Sequence, residues 1–132
     1  MKTVVMMQCY GEKFDVDSVL KKMDDIVPEY IWRKGERGIK KKEYQYSGFK
    51  FAIADEEVFE LAIKQTTEAL KQGWIVELSR LIEGSAVLVL DFGLIDCFFE
   101  TITKTIRLPA SLLKEVEKLR MDIEITIYPS SD

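Results

Sequence analysis

Histidine does not occur in the 132 residues of this chain. Without it, Ser-His-Asp and Cys-His nucleophile systems, imidazole acid–base work and the usual zinc sites are all excluded. There are two cysteines, Cys9 and Cys97. They are too few for a disulfide framework and lack the further ligands that a zinc site needs, so both are expected to be reduced, half-buried and structural. Neither a Gly-x-Gly-x-x-Gly nor a Walker-type loop occurs, and Lys34-Gly35-Glu36-Arg37-Gly38 fits neither spacing. No apolar run approaches the length needed to cross a bilayer. The amino terminus enters strand-like residues directly, without a basic-then-apolar leader. These absences predict a cytoplasmic protein with no membrane partner, no catalytic residue, no metal and no cofactor.

What is present is an ordinary globular composition, 47% hydrophobic and 32% charged, and a length suited to one domain spanning residues 1–132. The net charge of −4 hides a split. Residues 30–50 carry seven cations (Arg33, Lys34, Arg37, Lys40, Lys41, Lys42 and Lys50) against Glu36 and Glu43, a net charge of +5. Residues 51–100 carry ten acids against Lys64, Lys71 and Arg80, a net charge of −7. Such asymmetry can steer a charged partner; a solvated basic loop beside an acidic helix is the plainer account.

The stretch from Asp55 to Phe92 organises the chain. Asp55 suits a helix N-cap, and Glu56 and Glu57 complement the positive end of the helix dipole. Phe59, Ala62, Ile63, Thr66, Leu70 and Trp74 then recur at helical spacing as one buried stripe. Gly73 predicts a break, followed by a shorter helix through Ile75, Leu78, Leu81 and Ile82. After Gly84-Ser85, the run Ala86–Leu90 reads as an interior strand. Upstream, Thr3–Tyr10 is a strand and Asp15 opens a short helix with Val16, Val19, Leu20 and Met23 as its apolar positions. Pro28 prevents continuation of that helix, and Tyr30–Trp32 is a short strand. Residues 34–38 form an exposed turn, and Tyr44–Ile53 is the returning strand, with a β-bulge expected at Ser47-Gly48. Downstream, a strand is expected at Thr101–Leu108, a helix from Pro109 with Leu112, Leu113, Val116 and Leu119 inward, and an alternating strand at Asp122–Tyr128. Strand–helix–strand thus occurs at both ends (3–34 and 101–128). The fold class is α+β: one antiparallel-rich sheet of about five or six strands, helices on one face, with ferredoxin-like halves.

Each candidate chemistry has a structural alternative. Asp15-Val16-Asp17 could ligate a divalent ion, but at a helix start capping accounts for it better. Glycoside-cleaving carboxylate pairs and a Ser–Lys dyad are unconstrained, since nothing selects one pair among the 23 acids. Lys40-Lys41-Lys42 followed by Tyr44, Tyr46, Phe49 and Phe51 is a basic patch interleaved with aromatics, as in nucleic-acid binders. The acidic pI of about 5.0 and the core-like spacing of those aromatics argue against a nucleic-acid partner. Trp32 beside residues 34–37 brings an aromatic strand end to a dense charged turn, a combination that suits a protein contact.

Several ordered features together carry a resemblance. They are the leading strand, the Asp-started helix, Pro28, an aromatic and Lys34-Gly35-Glu36. The aromatic strand at Tyr44–Phe51, the long helix and a leucine-rich helix leading into Asp122–Tyr128 complete the set. Over nearly its whole length the chain resembles the bacterial domain-of-unknown-function family 4279, with Tyr44 and Tyr46 standing where that family would have tryptophan. The resemblance implies a small stand-alone protein of a family without an established catalytic activity, some members of which resemble immunity proteins encoded beside polymorphic toxins. The expected function is therefore a non-enzymatic protein that binds a toxin domain such as a nuclease and occludes its active site. Partner-binding residues are expected at Trp32, Glu36, Arg37, Asp91, Asp96 and Glu100. The alternatives are a small-ligand-binding or sensor module with a pocket between sheet and helices, and a self-associating module pairing through an edge strand.

Overall fold

The computed structural model describes residues 2–97 and 105–129. In chain order the elements are β1 (Lys2–Gly11), α1 (Val16–Lys22), β2 (Tyr30–Trp32), β3 (Ser47–Glu56), α2 (Phe59–Leu70), α3 (Gly73–Leu81), β4 (Val87–Cys97), α4 (Ala110–Lys118) and β5 (Asp122–Pro129). The five strands form one sheet in the order β2-β3-β1-β4-β5. Every neighbouring pair is antiparallel except β4 and β5, which run parallel. The chain is an α+β fold with an antiparallel-rich sheet.

The first four strands form a βαββαβ unit with sheet order β4-β1-β3-β2, the ferredoxin-like arrangement. Its halves are β1-α1-β2 and β3-α2-α3-β4. The second half therefore differs from the predicted 101–128: α4 and β5 are an addition that extends the sheet past β4. The predicted strand at Thr101–Leu108 is not formed where the structure describes it, since residues 105–109 are irregular; residues 101–104 lie outside the described residues. β4 instead runs on past the predicted end at Leu90, and the sheet closes with five strands.

One apolar cluster joins Val5, Met7 and Cys9 of β1, Phe49 and Phe51 of β3, and Leu88, Leu90 and Phe92 of β4 to buried residues of all four helices. Val16 and Val19 come from α1, Ala62, Ile63 and Leu70 from α2, Ile75 and Leu78 from α3, and Leu112 and Val116 from α4. The stripe predicted for α2 is the observed one, with Phe59 and Trp74 packed against its rim. Gly73 begins α3, so the predicted break is present. Asp15 caps α1 by accepting from the Ser18 amide at 3.1 Å. Pro109 is the extended N-cap of α4, one residue before its first turn.

Several local expectations are corrected. Asp55 is a β3 residue that pairs with Lys2 at 3.3 Å, and the α2 N-cap is Val58, which supplies no side-chain bond. The bulge lies at Ile53, where the register slips opposite Val5 and Met6, while Ser47 and Gly48 sit in a regular ladder. Gly48 is small for another reason: a β-carbon there would lie 2.5 Å from Trp32 Cζ2 and 2.6 Å from the Cys9 carbonyl oxygen. Leu113 faces outward, and Glu115 takes a buried place beside Leu112 and Val116, 3.5 Å from Lys118 Nζ. On β5 only Ile123 packs on the core; Ile125 and Ile127 stay about half exposed because β5 is the edge strand. Cys9 is fully rather than half buried, which pushes its thiol up to about 12.

Candidate functional site: the outer sheet face and its ribbon arm

Strand pleating sends alternate side chains to opposite faces. On β1, Thr3, Val5, Met7 and Cys9 are buried, while Lys2, Val4, Met6, Gln8 and Tyr10 are partly exposed on the outer face. Register then places the neighbours. Trp32, Gly48, Tyr10 and Val87 form one row across β2, β3, β1 and β4. Ala52, Met6, Asp91 and Glu124 form another. Trp32 and Asp91, two of the residues expected at the site, therefore share one surface although 58 positions separate them in the chain.

The face has two ends of opposite character. At the β2–β3 end Trp32 lies between Tyr30 and Tyr44, with ring centroids 5.8 and 6.4 Å away. The Tyr30 and Tyr44 hydroxyls are hydrogen-bonded to each other, and that bond raises the Tyr44 phenol above its ordinary value. Lys50 Nζ stands 5.8 Å from the Tyr30 ring centroid, and Tyr46 meets Tyr10 edge-on at 5.7 Å. At the β4–β5 end Asp91 accepts a 3.0 Å hydrogen bond from the Thr126 hydroxyl and neighbours Glu124. The exposed ring of Tyr128 lies beside Gly93. Burial first, then the charges of Glu124 and Asp122, raise the Tyr10 phenol, so the acidic end is felt at the centre of the sheet.

Beyond β2 the chain forms a ribbon arm. Tyr44 N–H donates to the Glu36 carbonyl at 2.9 Å, Gly35 N–H to Tyr44 at 3.0 Å, and Gly38 N–H to Lys42 at 3.1 Å. Arg37 and Glu43 form an antiparallel bridge. Gly35, at φ 87°, makes the first turn, and Lys41 occupies the same left-handed region at φ 59°. Two ion pairs tie the base of the arm to the body: Arg33 makes a two-pronged contact with Asp17 (2.7 and 3.0 Å), and Lys34 reaches Glu12 at 3.4 Å. The Arg33 bond holds the Asp17 carboxyl below its ordinary value. At the tip Ile39 is 94% exposed.

Of the residues expected from sequence, Trp32 and Asp91 lie on the same outer face at its opposite ends, with Glu36 and Arg37 on the adjoining arm. Glu100 and the side chain of Asp96 lie outside the described residues. Sequence reasoning did not select Tyr10, Asp122, Glu124 or Ile39 for the site. The first three required the parallel β4–β5 pairing and the β1 register to be known. Ile39 was legible as the one aliphatic residue in a basic run.

A second concavity is a groove of about 740 Å³ along α2, bounded by Phe59, Ile63, Lys64, Thr67, Lys71 and Arg107 among others. Its acids, Glu60 and Glu68, stand two turns apart on one helix, and Glu68 pairs with Lys71 at 3.5 Å, so no two carboxylates converge there. The buried Thr67 hydroxyl is already used, donating to the Ile63 carbonyl at 2.8 Å. Among the described residues no cluster of three or more acids or cysteines could hold a metal ion, and no helix is long and apolar enough to cross a membrane.

No protein-family model, curated protein or solved structure matches this chain.

Proposed function

We propose that this chain is a non-enzymatic protein-binding protein of the immunity type, which meets a cognate toxin domain in the cytoplasm through the outer face of its sheet. The reading is supported chiefly by one observation: Trp32 and Asp91, both partly exposed, share one sheet face that carries aromatic rings at one end and carboxylates at the other. A surface bearing both signs of charge suits a protein, whose own surface can answer each end. A phosphate backbone would be repelled by Asp91, Asp122 and Glu124. Trp32 anchors the contact, as interface hot spots are commonly tryptophan, tyrosine and arginine. The acidic end draws a cationic toxin surface toward it and mainly raises the encounter rate. Glu36 and Arg37 extend the contact onto the arm, and occlusion of the toxin's active site needs no chemistry from this chain. The resemblance to family 4279 is what points from protein binding in general to immunity in particular.

The test is co-expression with the product of the neighbouring gene. The expected result is a complex that survives purification and protects cells, with Trp32→Ala weakening it about thirtyfold or more. Asp91→Lys is expected to slow association with little effect on dissociation. Failure to form a complex, together with failure to protect, removes the reading.

A further inference from the structure

We propose that the tip of the ribbon arm, residues 37–43, is a docking element for a bilayer surface bearing anionic lipid. The inference is independent of the sheet-face reading, because apart from Arg37 the residues that carry it are different. The arm divides its cations into two groups. Arg33 and Lys34, at the base, are neutralised by Asp17 and Glu12 of the body. Arg37, Lys40, Lys41 and Lys42, at the tip, have no ion-pair partner within 4 Å among the described residues. Four cations against the single carboxylate of Glu43 give residues 37–43 a net charge of +3.

In the middle of this charge stands Ile39, 94% exposed, the most exposed large apolar side chain described in the protein. The bonds from Gly38 to Lys42 and from Lys41 to Gly38 close the tip as a tight turn with Ile39 within it. An aliphatic residue held outermost and ringed by lysines matches the two layers of an anionic membrane surface. The aliphatic group enters the acyl boundary while the long lysine stems let their ammonium groups remain among the headgroups. Single-stranded nucleic acid fits less well. The rings nearest the arm pack in part against one another, Trp32 against Tyr30 and Tyr44, which leaves less of each face for a base. An aliphatic tip has no role on a phosphate backbone.

The experiment is cosedimentation of the full chain with vesicles of phosphatidylcholine alone or with about 30% phosphatidylserine, at about 0.1 M salt. Binding is expected to the anionic vesicles only, and to weaken as salt rises. Each lysine replaced by glutamine should lower the partition coefficient about fivefold, so that K40Q/K41Q/K42Q loses about a hundredfold. Ile39→Ser should lower it about tenfold while circular dichroism stays that of the parent. Trp32→Ala and Asp91→Lys, which test the sheet face, should leave vesicle binding unchanged. No binding to anionic vesicles, equal binding to neutral ones, or indifference to Ile39→Ser would overturn the proposal. So would a single-stranded oligonucleotide that binds the tip more tightly than the vesicles do.

Discussion

Gly48 shows how one absent side chain shapes the site. The Trp32 ring crosses β3 only because nothing projects from position 48, and the Cys9 carbonyl and Tyr10 Cβ close the same space from the other side. With backbone on one side, the crowding cannot be relieved by a rotamer change. Gly48→Ala is therefore expected to destabilise the fold by about 1–3 kcal/mol through overpacking, read as a lower urea midpoint. The same variant should shift Trp32 emission, and a Trp32→Ala background should recover part of the loss. Thr3 is a residue of another kind. It is fully buried, its hydroxyl has no partner among the described residues, and nothing in the structure accounts for it.

At the level of elements, the link between α1 and the arm rests on Asp17 and Arg33. Asp17 titrates below its ordinary value of 3.8, chiefly through its hydrogen bond to Arg33. Its carboxylate is thus favoured in the folded state. The stabilisation is fully present above the unfolded value and disappears as pH falls through the lower folded one. Wild type and Asp17→Asn should differ in urea midpoint near neutral pH and converge as pH falls through the lowered folded value of Asp17. Persistence of the gap in acid would show that the pair is not its source. Both partners are largely solvent-exposed, so the neutral-pH gap should be small and should shrink with salt.

Elements were legible in the sequence wherever their cause is local. The α2 stripe, the break before Gly73, the Asp15 cap and the three-residue β2 follow from spacing, glycine cost and side-chain capping. Legibility fails where the cause is a distant partner. Asp55 has an N-cap's chemistry, yet β1 recruits it into β3 opposite Val4. Ser47-Gly48 looks like a bulge, but the glycine answers a ring from another strand. Leu113 obeys helical spacing and still points outward, while Glu115 goes in beside Lys118. For the site, Trp32, Glu36 and Arg37 announce themselves as an aromatic beside dense charge. The joining of Trp32 to Asp91 could not be read, because it depends on β1 lying between β3 and β4.

For the molecule as a whole, the ferredoxin-like unit and the α4–β5 addition are one structure. Leu112, Val116 and Leu119 of the addition enter the same apolar cluster as Val5 and Phe92, and β5 covers the edge of β4. A chain ending at Cys97 should accordingly self-associate or precipitate, since an unpaired apolar edge is a template for further pairing. A monomer by sedimentation, with a sharp unfolding transition, would show that the βαββαβ unit stands alone.

The central place of β1 also bears on how the molecule is made. β1 is synthesised before both of the strands that must flank it, residues 47–56 and then 87–95. Until those arrive, Val5, Met7 and Cys9 have no sheet to join, and the nascent chain carries a β-prone apolar strip while residues 12–95 are being made. Long-range pairing of this kind slows folding and exposes chains to aggregation. Folding of this domain during synthesis should therefore be sensitive to translation rate and chaperone supply.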